Sequence, residues 1–132
     1  MLLAAVSDDP SRAPSTQGLR HRLKAATAAA HHALDERLGQ FDLTTTAHYR
    51  RFLQASAAAL LPLEAALEQA GVAACFDDWS RRRRSPAIMA DLADLDGVAI
   101  PMNLPAQRPD RAFVFGTLYV VEGSRLVAAY LL

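Results

Sequence analysis

The chain has 132 residues, a single-domain length, with 14 basic and 14 acidic side chains and so no net charge. That balance excludes a protein built to coat a polyanion. A hydrophobic content of 52% against 21% charged residues excludes disorder of the whole chain, and one cysteine, Cys75, excludes an intramolecular disulfide framework.

Aromatic residues are 7% and the apolar content is mostly Ala and Leu, which favours helix over strand. Residues 1–18 mix Ser, Pro, Asp, Thr and Gly after a short apolar run and read as a flexible leader. That run is too short for a signal h-region and meets Asp8 and Asp9 at once. No stretch reaches about 18 uninterrupted apolar residues. The expectation is a cytoplasmic protein with no membrane or nucleic-acid partner, its domain spanning 19–132.

The first helix is predicted from Leu19 to Leu38. Leu19, Leu23, Ala26, Ala30, Leu34 and Leu38 recur at spacings of three and four, and Gly39 ends it. A second helix starts at the Thr44–Thr46 cluster, which offers N-caps. Its apolar stripe is Tyr49, Phe52, Leu53, Leu60, Leu63, Leu67 and Ala70. Gly71 terminates it, and Pro62 predicts a kink or break. The segment 72–84 reads as irregular, with Trp79 as an anchor. Its Arg81–Arg84 run lacks interleaved aromatics, so it reads as a solvated loop rather than a phosphate-binding patch. Ser85 as N-cap with Pro86 after it opens a short helix, with Ile88, Met89, Leu92 and Leu95 inward and Gly97 as its stop. Pro101, Pro105 and Pro109 mark a loop, and Asp110 caps a last helix that is apolar nearly all round, as expected inside a bundle. A strand competes only over Val114–Val121. The fold class is therefore all-α, with four principal helices.

The chemistry-bearing candidates sit on the first helix. Lys24, Thr27, His31, Leu34 and Leu38 share one broad face, and Asp35 lies one turn beyond His31. One ring nitrogen of such a histidine can ligate a metal, while a partner such as Asp35 fixes the tautomer through the other. His32 diverges by about 100° around the axis, so the two histidines are not a chelating pair. A lone helical histidine is more commonly a surface or capping residue, and spacing alone leaves both readings open. No nucleophile triad, P-loop or dinucleotide fingerprint is present.

Two segments together resemble the heme oxygenases. LKAATAAAHHALDERL (Leu23–Leu38) resembles the family's proximal helix, where a Thr stands four residues before the iron-ligating His and an acidic residue four after it. GTLYVVEGSRL (Gly116–Leu126) is similar to the distal helix of the bacterial members found beside bacteriophytochromes. The Tyr49–Leu53, Leu63–Leu67 and Met89–Leu95 segments fall where the family has comparable helices. The resemblance runs from about Leu19 onward, and the family continues for further helices, so it implies a helical bundle incomplete at its C-terminal end.

It implies that His31 is the proximal heme-iron ligand and Lys24 the partner of a heme propionate. Thr27 and Asp35 would line the proximal side. Gly116, Tyr119, Glu122, Gly123 and Ser124 would lie on the helix crossing the other heme face, with Glu122, Gly123 and Ser124 nearest the reaction. The implied reaction opens heme to biliverdin, releasing CO and ferrous iron, with O2 and a ferredoxin- or reductase-type electron donor. A neutral imidazole leaves one axial position open, and glycines allow backbone to approach the ring. Where the family has a Gly-Gly pair, this sequence has Val127, Ala128 and Ala129. That departure leaves open a heme binder without turnover. Val127, Tyr130, Leu131 and Leu132 leave open self-association through the last helix, or a helical interaction module without a cofactor.

Overall fold

A computed structural model describes residues 16–130, with side chains from Gly18 to Arg125. The described residues form helices and no strand: α1 (Thr16–Leu38), α2 (Thr46–Gln69), α3 (Val72–Cys75), α4 (Trp79–Arg82), α5 (Ser85–Asp94) and α6 (Arg111–Tyr130). The fold is all-α, and the four longer helices are the four expected. The chain divides into two units, one ending at Gln40 and the other beginning at Phe41.

The first unit contributes α1. It begins at Thr16, so the last three positions of the expected leader are helical; residues 1–15 lie outside the described residues. Helix propensity accounts for the extension, since Thr16, Gln17 and Gly18 precede a run of strong helix formers. The helix stops at Leu38, before Gly39, whose N–H reaches back to Asp35 O at 2.8 Å.

The second unit is organised around α2. Thr45 is its N-cap, its hydroxyl accepting from the His48 N–H. Leu53, Ala57, Leu60, Glu64 and Leu67 are buried, at spacings of four and three along one stripe. Two apolar clusters form along α2. Near its start, Leu53 and Ala57 pack with Leu92, with Ile88, Leu95 and Ala99 around them. Near its end, Leu67 packs with Val72, Trp79, Val114 and Leu118, so Trp79 is the anchor expected of it. Truncating Leu67 or Leu92 to alanine removes about 3 kcal/mol of such packing.

Several details depart from expectation, each for a local reason. Pro62 does not break α2, which runs unbroken from Thr46 to Gln69. Proline has no N–H for the carbonyl four residues back. That carbonyl, on Ala58, accepts instead from the Met102 N–H at 2.8 Å, which also ties down the Pro101–Pro109 loop. The segment 72–84 is two single helical turns, α3 and α4, rather than irregular chain. Ser85 is the first residue of α5 and not its cap, because a side chain from α2 takes that role. At the other end of α5, Gly97 N–H bonds Leu92 O at 2.7 Å and Asp96 N–H bonds Ala93 O at 3.2 Å, a Schellman closure. Asp96, not Gly97, takes the left-handed conformation (φ 51°). Gly97 answers a need for space, since a β-carbon there would stand 2.8 Å from Leu92 Cδ2. Met89, expected inward, is exposed.

Asp110 caps α6 as expected, accepting the Phe113 N–H at 2.9 Å. The helix is not enclosed on all sides. Val114, Leu118 and Val121 are buried, while Phe115, Tyr119 (79% accessible) and Val120 (66%) are exposed. A spacing of four and three buries one stripe on α2 and its neighbours and turns the next one outward. No helix among the described residues is long and apolar enough to cross a membrane.

Candidate functional site

On α1 the unbroken helix places Lys24, Thr27, His31 and Asp35 on one face. Lys24 and His31 are separated by seven residues, about 10 Å along the axis, and Asp35 lies about 6 Å past His31. All four are exposed. The Thr27 hydroxyl is used locally, donating to Leu23 O at 2.9 Å. His32 points around the helix and pairs with Glu36 at 3.4 Å, a local i,i+4 contact. The face therefore presents one imidazole flanked by a cation and a carboxylate, which suits ligation by a single ring nitrogen. Among the described residues, no three His, Cys, Asp or Glu side chains gather into a metal-binding group.

On α6 the named residues divide between two faces. Gly116, Tyr119, Val120 and Gly123 follow one another at spacings of three, one and three, which makes a single stripe. A β-carbon built at Gly116 or Gly123 would meet nothing within 4 Å outside its own helical turns. Neither glycine is at positive φ. Each costs the helix about 1 kcal/mol relative to alanine. Among the described residues no turn, crowding or backbone strain requires either glycine. Glu122 and Ser124 lie beside this stripe and are engaged by Arg82 of α4 and by Arg84, which precedes α5. Arg82 Nη1 stands 3.9 Å from Glu122 Oε1, and Arg84 Nη2 donates to Ser124 Oγ at 3.5 Å and Val121 O at 3.4 Å. The Ser124 hydroxyl itself donates to Val121 O at 2.8 Å. The side chains of Val127, Ala128, Ala129 and Tyr130 lie outside the description, as do Leu131 and Leu132 altogether, and with them the departure from the Gly-Gly pair and the expected self-association.

The arginine run is not a solvated loop. Arg81 is exposed, but Arg82 pairs with Asp78 at 2.7 Å and lies 5.3 Å from the centre of the Phe76 ring. Arg83 pairs with Glu68 at 2.9 Å, and Glu68 also accepts from Trp79 Nε1 at 3.2 Å. Three of the four guanidinium groups thus bind the second unit together. The backbone at the end of the run is held by Glu64, 2% accessible, whose carboxylate accepts the N–H groups of Arg84 and Ser85 and the Ser85 hydroxyl. Its signal in the sequence is an acidic residue within the 53–57–60–64–67 stripe, one step from Leu63.

A shallow groove of about 450 Å³ lies between the end of α2 and the loop before α6, lined by Ala66, Gln69, Leu104, Pro105, Pro109 and Phe113 among others. None of Lys24, Thr27, His31, Asp35, Gly116, Tyr119, Glu122, Gly123 and Ser124 lines it. The chain matches no family model, no characterised protein sequence and no solved structure.

Proposed function

We propose that this protein is heme oxygenase-like: it binds heme through His31 and opens it to biliverdin, with release of CO and ferrous iron. O2 and a ferredoxin- or reductase-type donor are the co-reactants. The observation that carries the reading is the glycine stripe of α6. Two helix-interior glycines stand on an open face, and among the described residues nothing packs close enough to require glycine. A flat macrocycle lying against backbone supplies such a reason. The α1 face supports it with an exposed imidazole, a cation for a propionate at Lys24, and a carboxylate at Asp35 to orient the ring. In this reading Glu122, Gly123 and Ser124 border the oxygen-binding side, where polar groups hold water and protons. The bound heme supplies the oxygen chemistry; the chain supplies ligation, orientation and exclusion.

The experiment is a hemin titration of the full chain and of two variants, followed by absorption spectroscopy. The expected result is a Soret shift in the wild type and in His32→Ala, lost or altered in His31→Ala. A wild type without the shift, or a His31→Ala variant with an identical one, overturns the reading. Adding a reductant then separates turnover to biliverdin from a heme binder that does not react.

A second reading, a cofactor-free helical interaction module, is favoured by the exposure of Phe115, Tyr119 and Val120 on α6. A heme-independent oligomer in solution, with no Soret shift, selects it.

A further inference from the structure

We infer that Arg84 is a positioning residue for α6, a latch that fixes the Val121–Ser124 turn relative to α2. Its backbone and its side chain do separate things. The backbone N–H is held by the buried Glu64 carboxylate at 2.7 Å, and the next residue, Ser85, is held by the same carboxylate through N–H and hydroxyl. Arg84 thus starts from a fixed point on α2. From that point its guanidinium reaches 37 residues along the sequence to Val121 O at 3.4 Å and to Ser124 Oγ at 3.5 Å.

The place it reaches is a weak point in the helix. Gly123 has low helix propensity, and Ser124 bonds back to Val121 O, a local bond that competes with the helical ladder and bends helices. A Gly-Ser pair in mid-helix with an extra donor on the carbonyl behind it is where α6 yields first. A guanidinium donating to that carbonyl gives it a further partner and sets the angle at which the second half of α6 leaves. Arg82, 3.9 Å from Glu122, adds a second and looser hold on the same turn.

The consequence for a ligand rests on the heme reading above. Gly123 is the last member of the glycine stripe, so the latch sets how closely that end of the stripe approaches a bound ring. Arg84 itself touches no reacting atom in this scheme; it acts through α6.

The test uses the full chain with Arg84→Gln and Arg84→Lys. Both keep the backbone N–H that Glu64 accepts, so α5 retains its cap. Amide hydrogen exchange is measured along α6. The expected result is exchange about tenfold faster over Glu122–Arg125 in Arg84→Gln, no change over Val114–Leu118, and an intermediate effect in Arg84→Lys. Unchanged exchange over Glu122–Arg125, or an equal rise along the whole helix, overturns the latch. A second arm titrates cyanide into the ferric heme complex. Arg84→Gln should keep the Soret band but shift cyanide affinity roughly fivefold or more, with partial rescue by Arg84→Lys. Unchanged cyanide affinity overturns the effect on the heme side. A wild type that takes up no hemin refutes the heme reading alone, and the exchange arm still decides the latch.

Discussion

The carboxylate of Glu64 accepts the backbone N–H of Arg84 at 2.7 Å, so one helix closes the open N-terminus of another twenty residues further on. The first N–H groups of any helix lack intrahelical partners; at the start of α5 Pro86 has none to satisfy, and Glu64 takes those of Arg84 and Ser85. A buried carboxylate at a helix N-terminus also meets the positive end of the helix dipole.

Replacing Glu64 therefore strands two N–H groups and a hydroxyl in a dry setting. We expect Glu64→Gln, which keeps the shape and one good acceptor, to cost about 1–2 kcal/mol. Glu64→Leu, which offers no acceptor, should cost more, about 3 kcal/mol. Urea unfolding measures both, and a Leu variant as stable as the Gln variant would show that the hydrogen bonds contribute nothing net.

Pro62 gives the second prediction. Pro62→Ala restores an N–H at that position and removes the ring clash, so α2 should gain about 1–3 kcal/mol. The Ala58 carbonyl then turns back to its helical donor and loosens its bond to Met102. The fold becomes more stable while one loop amide, that of Met102, exchanges roughly fivefold faster. Faster exchange without stabilisation would indicate general loosening; slower exchange would contradict the shared-carbonyl account.

Two carboxylates, exposed Asp42 and half-buried Asp78, predict an acid-side loss of stability. Hydrogen bonds from the Thr44 side chain at 2.6 Å and its N–H at 3.1 Å hold the Asp42 carboxyl below its usual range. The hydrogen bond from Arg82 does the same for Asp78. Each folded-state pKa is depressed, so the stabilisation is complete above the unfolded value of about 4. It disappears as pH falls through the lower folded value. Because Asp42 is exposed and Asp78 only half-buried, the effect is small and screened by salt. Melting temperatures of wild type and Asp42→Asn should differ at pH 6 and converge by about pH 2. A gap that persists in acid would assign the effect to something other than charge.

These cases also separate what local sequence carries from what it does not. The helices were legible because Ala, Leu and their spacing act within a few residues, and so were the caps at Thr45 and Asp110, which bond three residues ahead. The common face of Lys24, Thr27, His31 and Asp35 follows from helix geometry alone. The Glu64 cap, the donor on Ala58 O and the reach of Arg84 to Val121 O join residues 20 to 44 positions apart, and no local pattern encodes such a partner. The one-sided burial of α6 was hidden for a related reason. Val120 and Val121 look alike in sequence, and only the neighbours of α6 decide which is covered.

The glycines of α6 and the one that closes α5 supply the sharpest contrast. Gly97 sits where a β-carbon would meet Leu92 Cδ2 at 2.8 Å and Arg50 Cγ at 3.2 Å, so Gly97→Ala should destabilise by about 1–2 kcal/mol. Gly116 and Gly123 meet nothing, so Gly116→Ala and Gly123→Ala should each stabilise the chain by about 1 kcal/mol in thermal unfolding. If a flat ligand uses that stripe, the same two methyl groups must weaken hemin binding or displace the ring, seen as a lower affinity or a changed Soret band. Stabilisation together with weakened hemin binding is the expected pair of outcomes. Stabilisation with hemin binding intact would remove α6 from the heme site and leave its two glycines without a reason.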